Sequence, residues 1–287
     1  MQSIAPPITL LTDFGMADHY VACMKGVILQ RAPLAQIIDV THMIQPHDVV
    51  HGAFVLRQIF EHYPPGTIHI AVVDPGVGSS RRIVAARYSG QIVLAPDNGL
   101  LTFVHRDFIL EELRSIENQR LFRPEVSRTF HGRDVFAPVA SHLCQGTAFE
   151  KLGPIVRELQ LLNLERPKRL EQGGVEGQVL YIAHLGNCIS NISVAELGQV
   201  TAPPERMTVQ VGPLRVGHLH TTYADVNPGE IVAMIGSTGM LEVAVNQGSA
   251  AAHPAPPPGD AGGKTKPKQE ENLPRIVPRP HQGRWSW

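Results

Sequence analysis

The first 160 or so residues repeat one pattern that narrows the possible folds: short β-branched apolar runs alternate with amphipathic stretches. ITLLTDF reads as a buried strand that ends in a turn at Gly15. From Asp18 to Arg31, Tyr20, Met24, Val27 and Ile28 recur at helical spacing. AQIIDVTH is a second strand, and Asp48 to His62 a second helix with Val49, Ala53, Leu56 and Phe60 on one face. PPGTIHIAVVDPGVG reads as turn, strand and glycine turn, RRIVAARYSGQIVLAPDNGLL as a strand hairpin with a turn, and Val135 to Gln145 as another helix. Strand-helix-strand alternation of this kind predicts an α/β N-terminal domain over residues 1–165 around a central, mainly parallel sheet.

The polar, basic stretch NLERPKRLEQ reads as a linker. Beyond it, EGQVLYIAHLG, NISVAEL, MTVQVGPLRV, EIVAMIGS and MLEVAVNQG are strand signals with frequent turns, which predict a smaller all-β, barrel-like C-terminal domain over 173–250. Residues 251–287 hold eight prolines and four glycines, and a disordered or extended tail is expected there, with Trp285 and Trp287 at its end.

A net charge of -1 argues against a surface built for nucleic acid or anionic lipid. No apolar run approaches a bilayer span, and MQSIAPPITLL lacks the features of a secretory signal, so a cytoplasmic protein is expected. Cys23, Cys144 and Cys188 are far apart and lack CxxC spacing, consistent with free thiols. The 14 histidines form no compact ligand motif, so no metal is expected.

Four stretches place polar residues at strand ends or turns, where α/β proteins bind ligands. Asp13 in LLTDFG can accept from a ribose diol or simply form a turn. In AVVDPGVGSSRR, Asp74 closes a strand, and strand alternation sends Arg81 and Arg82 to opposite faces; the plain reading is a salt bridge bracing a turn. In RTFHGRDVFAP, His131 is either a proton shuttle or a turn hydrogen-bonder, and Asp134 is read as a helix N-cap. Asn187 and Asn191 lie near a turn in AHLGNCISNIS. These residues suggest an enzyme with a nucleoside-sized cleft and leave the reaction open.

Taken together, LLTDFGMADHYVACMKGVI, HMIQPHDVVHGAFVL, VVDPGVGSSRR, LAPDNGLL, FHGRDVFAP, LGNCISNI and IGSTGMLEVAVNQGSA resemble, in order, blocks of the S-adenosyl-L-methionine (SAM) hydroxide adenosyltransferases, relatives of the SAM-dependent fluorinases and chlorinases. The resemblance implies an α/β domain followed by a small β-barrel, and a homotrimer with substrate between the N-terminal domain of one subunit and the C-terminal domain of the next. It implies a catalytic triad of Asp74, Arg81 and His131, with Arg82 as the nearby alternative to Arg81. It also implies that Asp13 holds the ribose hydroxyls and that His47 stands beside the adenosyl group. Phe130 and Gly132 would border the reacting centre. Asn187 would hold the methionine part, Ser237 would help at its carboxylate, and backbone near Val245 and Asn246 would meet adenine. Ala183 stands where the family often has an aspartate expected to pair with the methionine ammonium.

The implied reaction is attack of water or hydroxide on C5′ of SAM, giving adenosine and L-methionine, with SAM as substrate and no cofactor. The alternatives are a SAM-dependent halogenase, a metal-dependent hydrolase and a non-catalytic nucleoside- or SAM-binding protein.

Overall fold

The structure is a computed structural model describing residues 5–171, 174–198, 207–211, 214–252 and 275–277. It divides into two compact units, Met1–Asn163 and Leu164–Trp287.

In the first unit, β1 (Ile8–Thr12), β2 (Ile37–Thr41), β3 (Ile68–Val72), β4 (Ile83–Tyr88), β5 (Gln91–Pro96) and β6 (Leu110–Ser115) form one mixed sheet, ordered β2-β1-β3-β5-β4-β6. β2, β1, β3 and β5 run parallel; the β4–β5 hairpin and β6 close one side with antiparallel pairs. Every residue of β1 and β3 is buried, as continuous apolar runs covered on both faces must be. Helices α1 (Tyr20–Arg31), α2 (Val49–Phe60), α3 (Thr102–Asp107) and α4 (Ala137–Cys144) complete the unit. The Asp48 side chain caps α2 by accepting from the His51 amide at 2.9 Å. One face of α1 buries Val21, Met24 and Ile28. Tyr20, expected on that face, is instead 40% exposed. Both α3 and β6 lie where the sequence signals no element.

One buried polar chain crosses the sheet. The Thr9 hydroxyl donates to Nδ1 of His69 at 2.8 Å, His69 Nε2–H donates to Gln91 Oε1 at 2.8 Å, and the Gln91 amide donates to the Phe60 carbonyl at 3.1 Å. The Gln91 oxygen places a proton on Nε2, and burial, against the pull of that bond, pushes the His69 pKa down to about 4, so the ring is neutral and Nδ1 accepts from Thr9.

The second unit contains β7 (Lys168–Arg169), β8 (Val175–Ile182), β9 (Cys188–Ser193), α5 (Val194–Leu197), β10 (Val209–Val211), β11 (Leu214–Val216), β12 (Ile231–Ile235), β13 (Met240–Val245) and β14 (Arg275–Val277). The strand order is β11-β10-β14-β8-β9-β13-β12, with β7 also paired to β8. Most pairs are antiparallel; β14 runs parallel to both its neighbours. The expected linker therefore contains a short strand, and the strand expected over NISVAEL ends in one helical turn. Ser193 and Glu196 form a reciprocal cap there, which favours the turn over further strand.

Within the tail expected to be disordered or extended, Arg275–Val277 is an extended strand. Ile276 and Val277 are β-branched, and Pro274 and Pro278, which lack the amide a ladder requires, flank the triplet in sequence. Residues 253–274 and 278–287, both tryptophans included, lie outside the described residues. No helix among the described residues is long and apolar enough to cross a membrane.

Candidate active site

The chain enters at β1, steps to β2 on one side, then crosses to β3 on the other. Such a reversal opens a crevice at the carboxyl ends of the strands. Thr12 of β1 is in register with Val72 of β3, so Asp13 and Asp74 leave the sheet at the same end. There lies a cleft of about 530 Å³, lined among others by Asp13, His47, Asp74, Phe130, His131 and Gly132. Its volume suits a small-molecule site.

Three segments hold the polar residues. The first is braced from beneath: the Thr12 hydroxyl donates to His42 Nδ1 at 2.8 Å and accepts from the Phe14 amide at 3.2 Å, while His42 Nε2–H donates to Asp39 at 3.0 Å. Asp13 Oδ2 accepts from the backbone amide of His47 at 2.9 Å. His47 sits at φ +67°, with its imidazole largely exposed at the cleft.

The second is the DPGVG turn. Gly78 has φ +78°, and a Cβ there would run into the carbonyl oxygen of Arg128. Only glycine lets this turn press against the segment that carries His131. Just before β4, Arg81 grips Asp74 with both edges of its fork: Nε donates to Oδ1 at 2.7 Å and Nη2 to Oδ2. The same Nη2 donates to Nδ1 of His131 at 3.1 Å. Asp74 and Arg81 are nearly buried, at 4% and 9% side-chain exposure. Arg81 is absent from the cleft lining and stands behind Asp74 and His131; its Nη1 is buried and has no hydrogen-bond partner among the described residues. Arg82 points elsewhere and pairs with Asp97 through Nε at 2.9 Å and Nη2 at 2.6 Å. The two adjacent arginines, which precede β4 rather than sit on it, thus turn to different partners, leaving Arg81 as the one joined to Asp74 and His131.

The third is the segment before α4. Gly132–Phe136 forms a π-helical turn with His131 at its head. Asp134, read from the sequence as an N-cap, lies inside that turn instead. It is fully buried and accepts from Arg133 Nε at 2.7 Å, Arg133 Nη2 at 2.8 Å and the Ser127 amide at 2.9 Å. These bonds hold its carboxyl below the ordinary range, outweighing burial, which pushes the other way. Burial first, and then the Arg81 cation, lower the pKa of His131.

Phe130 packs edge-on to Phe14 and Tyr20, at ring-centroid distances of 5.9 and 5.1 Å. Phe14 and Tyr20 line the cleft and escaped the sequence reading; each is an aromatic flanking the DFG turn. A Cβ at Gly132 would sit 3.2 Å from both Phe14 and Phe130, so glycine permits this aromatic wall. Among the described residues, no three His, Cys, Asp or Glu side chains gather as a metal site would require.

The remaining expected residues lie in the second unit. Asn187 immediately precedes β9, and its Nδ2 donates to Glu242 Oε1 at 2.7 Å. Ser237 is exposed on the β12–β13 turn, beside Thr238, whose hydroxyl is buried without a partner among the described residues. Val245 ends β13 and Asn246 follows it in a turn. Asn246 uses its amide on the Glu230 carbonyl at 2.9 Å and its carbonyl on the Gly229 amide at 2.7 Å, so its backbone is already engaged in a turn. The Ala183 amide donates to the Asn187 carbonyl at 2.9 Å, and its methyl group offers a ligand no charge.

The sequence profile of the SAM hydroxide adenosyltransferase N-terminal domain matches residues 8–153, and that of the C-terminal domain matches residues 177–261. The chain belongs to the SAM hydroxide adenosyltransferase family. It is 40% identical to the (R)-S-adenosyl-L-methionine hydrolase of Salinispora tropica, over 89% of this chain and 96% of that one. With the enzyme of the same name from Thermus thermophilus it shares 41% identity, covering 85% and 93%. A fluorinase of Nocardia brasiliensis is more distant, at 30% identity with 86% and 92% covered. Among solved structures, an uncharacterized conserved protein of Thermotoga maritima superposes with a TM-score of 0.79 at 36% identity, covering 85% and 94%.

Proposed function

We propose that this family member is a SAM hydrolase, in which hydroxide attacks C5′ of SAM. The C5′–O bond forms as the C5′–S bond breaks; the sulfur keeps the bonding pair, and adenosine and neutral L-methionine are released. The proton that separates water from hydroxide passes to solvent before attack.

The observation that carries this reading is the contact between Asp74, Arg81 and His131 beside the cleft. Because Nδ1 of His131 accepts from Arg81, the neutral ring carries its proton on Nε2. Both Asp74 oxygens are engaged by the Arg81 fork, which offsets the carboxylate charge beside the cleft. From behind Asp74 and His131, the permanent charge of Arg81 favours an oxygen anion at the cleft and holds both side chains in place. Departure of sulfur turns a cation into a thioether and needs no acid. Asp13 takes the ribose hydroxyls, His47 and the Phe130 wall flank the adenosyl group, and in-line alignment supplies much of the acceleration. The proposed reaction needs no resident cofactor.

The greater identity to relatives named hydrolases than to the named fluorinase supports water over halide as the nucleophile. We further propose closure of the second unit's sheet into a barrel, a homotrimer that joins the cleft of one subunit to the second unit of the next, and a cytoplasmic location, for which three unpaired cysteines speak.

Incubation with SAM in ¹⁸O-labelled water tests the reaction. Adenosine carrying the label at its 5′ oxygen is expected; unlabelled product, or none, overturns the reading. Replacing chloride by acetate is expected to leave turnover unchanged, whereas a halogenase would stop.

A further inference from the structure

Glu242 is a carboxylate placed where the strand MLEVAV offers apolar neighbours, and it is only 6% exposed. Its Oε1 accepts from Asn187 Nδ2 at 2.7 Å and from the Tyr223 hydroxyl at 2.6 Å. Tyr223 is thereby kept a donor: the bond to Glu242 pushes its pKa up to about 12. The other oxygen of Glu242 lies against Gly236, where any Cβ would collide with it. Three separate positions are thus shaped to seat one buried carboxylate.

The chemistry of that seat decides something the two ends of an amide ordinarily leave open. An ionised carboxylate only accepts hydrogen bonds, so Asn187 must face it with its NH₂ group. The side-chain Oδ1 of Asn187 is then turned away from Glu242, and it takes no hydrogen bond among the described residues. We infer that Glu242, seconded by Tyr223, is a positioning residue that locks Asn187 as a hydrogen-bond acceptor, so that Asn187 reads an N–H donor on the substrate. This rests on the SAM reading above. SAM offers two such donors, the ammonium of its amino-acid part and the exocyclic amine of its purine.

The test is substrate selectivity of the full-length protein. SAM is compared with an analogue lacking the amino-acid nitrogen and with one lacking the purine amine. The wild type is expected to prefer SAM over one of the two by about tenfold or more, the worth of one well-placed hydrogen bond, and that analogue identifies the donor. Glu242→Leu, which frees the amide to turn over, is expected to raise KM for SAM about tenfold and to reduce that preference to within about threefold, with kcat little changed. Glu242→Gln keeps an acceptor for Asn187 and is expected to preserve the preference. Asn187→Asp, which sets acceptor against acceptor, is expected to lose it and to regain it when combined with E242Q. That pair decides the matter where Glu242→Leu does not fold. Unchanged selectivity in Glu242→Leu and Asn187→Asp overturns the inference while the SAM reading stands. Wild-type protein that leaves SAM intact removes both.

Discussion

Nη2 of Arg81 and Nδ1 of His131 meet at 3.1 Å as donor and acceptor, and this contact exists only while the imidazole is neutral. Protonation would place an N–H against a guanidinium. The pKa of His131 is accordingly lowered, by burial and then by the Arg81 charge, so the ring is expected to stay neutral throughout the physiological range and to charge only below the ordinary histidine pKa. Turnover should be sustained above neutrality and fall in acid. Substituting Arg81→Met should raise the His131 midpoint, which NMR titration of the ring reads directly.

Arg81 and Arg82 are adjacent in sequence, yet they should respond oppositely to substitution. Arg81→Ala is expected to lower kcat by about 10²–10³, as removal of a preorganised charge does, with KM changed far less. Arg82→Ala removes the cation paired with Asp97, whose carboxylate is only 3% exposed, so kcat should stay within about twofold while stability drops. Steady-state kinetics on the two variants settle the contrast.

Gly78→Ala introduces a Cβ at φ +78° against the Arg128 carbonyl. Strain of this kind costs about 1–3 kcal/mol, and the collision would separate the Asp74 turn from the His131 segment. Loss of kcat exceeding the loss of thermal stability is the expected result, measured by kinetics alongside a melting curve.

His69 gives a stability signature separate from catalysis. It is neutral in the fold, with a pKa of about 4, while an unfolded histidine titrates near 6.5. Between those pH values the unfolded chain binds the extra proton, so stability is fully present above pH 6.5 and declines as pH falls toward 4, by roughly 3 kcal/mol. Urea unfolding at pH 7 and pH 4.5 should show the decline, and a His69→Gln variant should show a smaller one.

The alternation of apolar runs made β1, β2, β3, the β4–β5 hairpin, α1 and α2 legible, because strands buried on both faces and one-sided helices leave strong periodic signals. Asp13, Asp74 and His131 were legible as polar residues beside turns; Arg81 and Arg82 do take different partners, but both precede β4, so strand alternation is not the cause. Tyr20 was misassigned because it falls on the helical stripe at the first turn, where the chain is already leaving the core. Asp134 was misread because its partners, Arg133 and the Ser127 amide, are fixed by the path of an irregular loop rather than by local propensity. Glu242 was hidden by the same alternation that revealed the strands. On β13 it shares a face with Ala244, opposite Leu241 and Val243, and so reads as solvent-facing. That face is in fact covered: Val232, Met234 and Ala244 form a second small cluster with Val226 packed on it. A lone acidic residue between apolar neighbours was the available signal.

β14 occupies an interior place in its sheet, between β10 and β8, although it follows every other strand along the chain. A growing polypeptide therefore exposes the facing edges of β10 and β8 until Arg275–Val277 leaves the ribosome. Translation order and spatial order disagree at this one strand, so completion of the second unit is timed to the emergence of its last described segment.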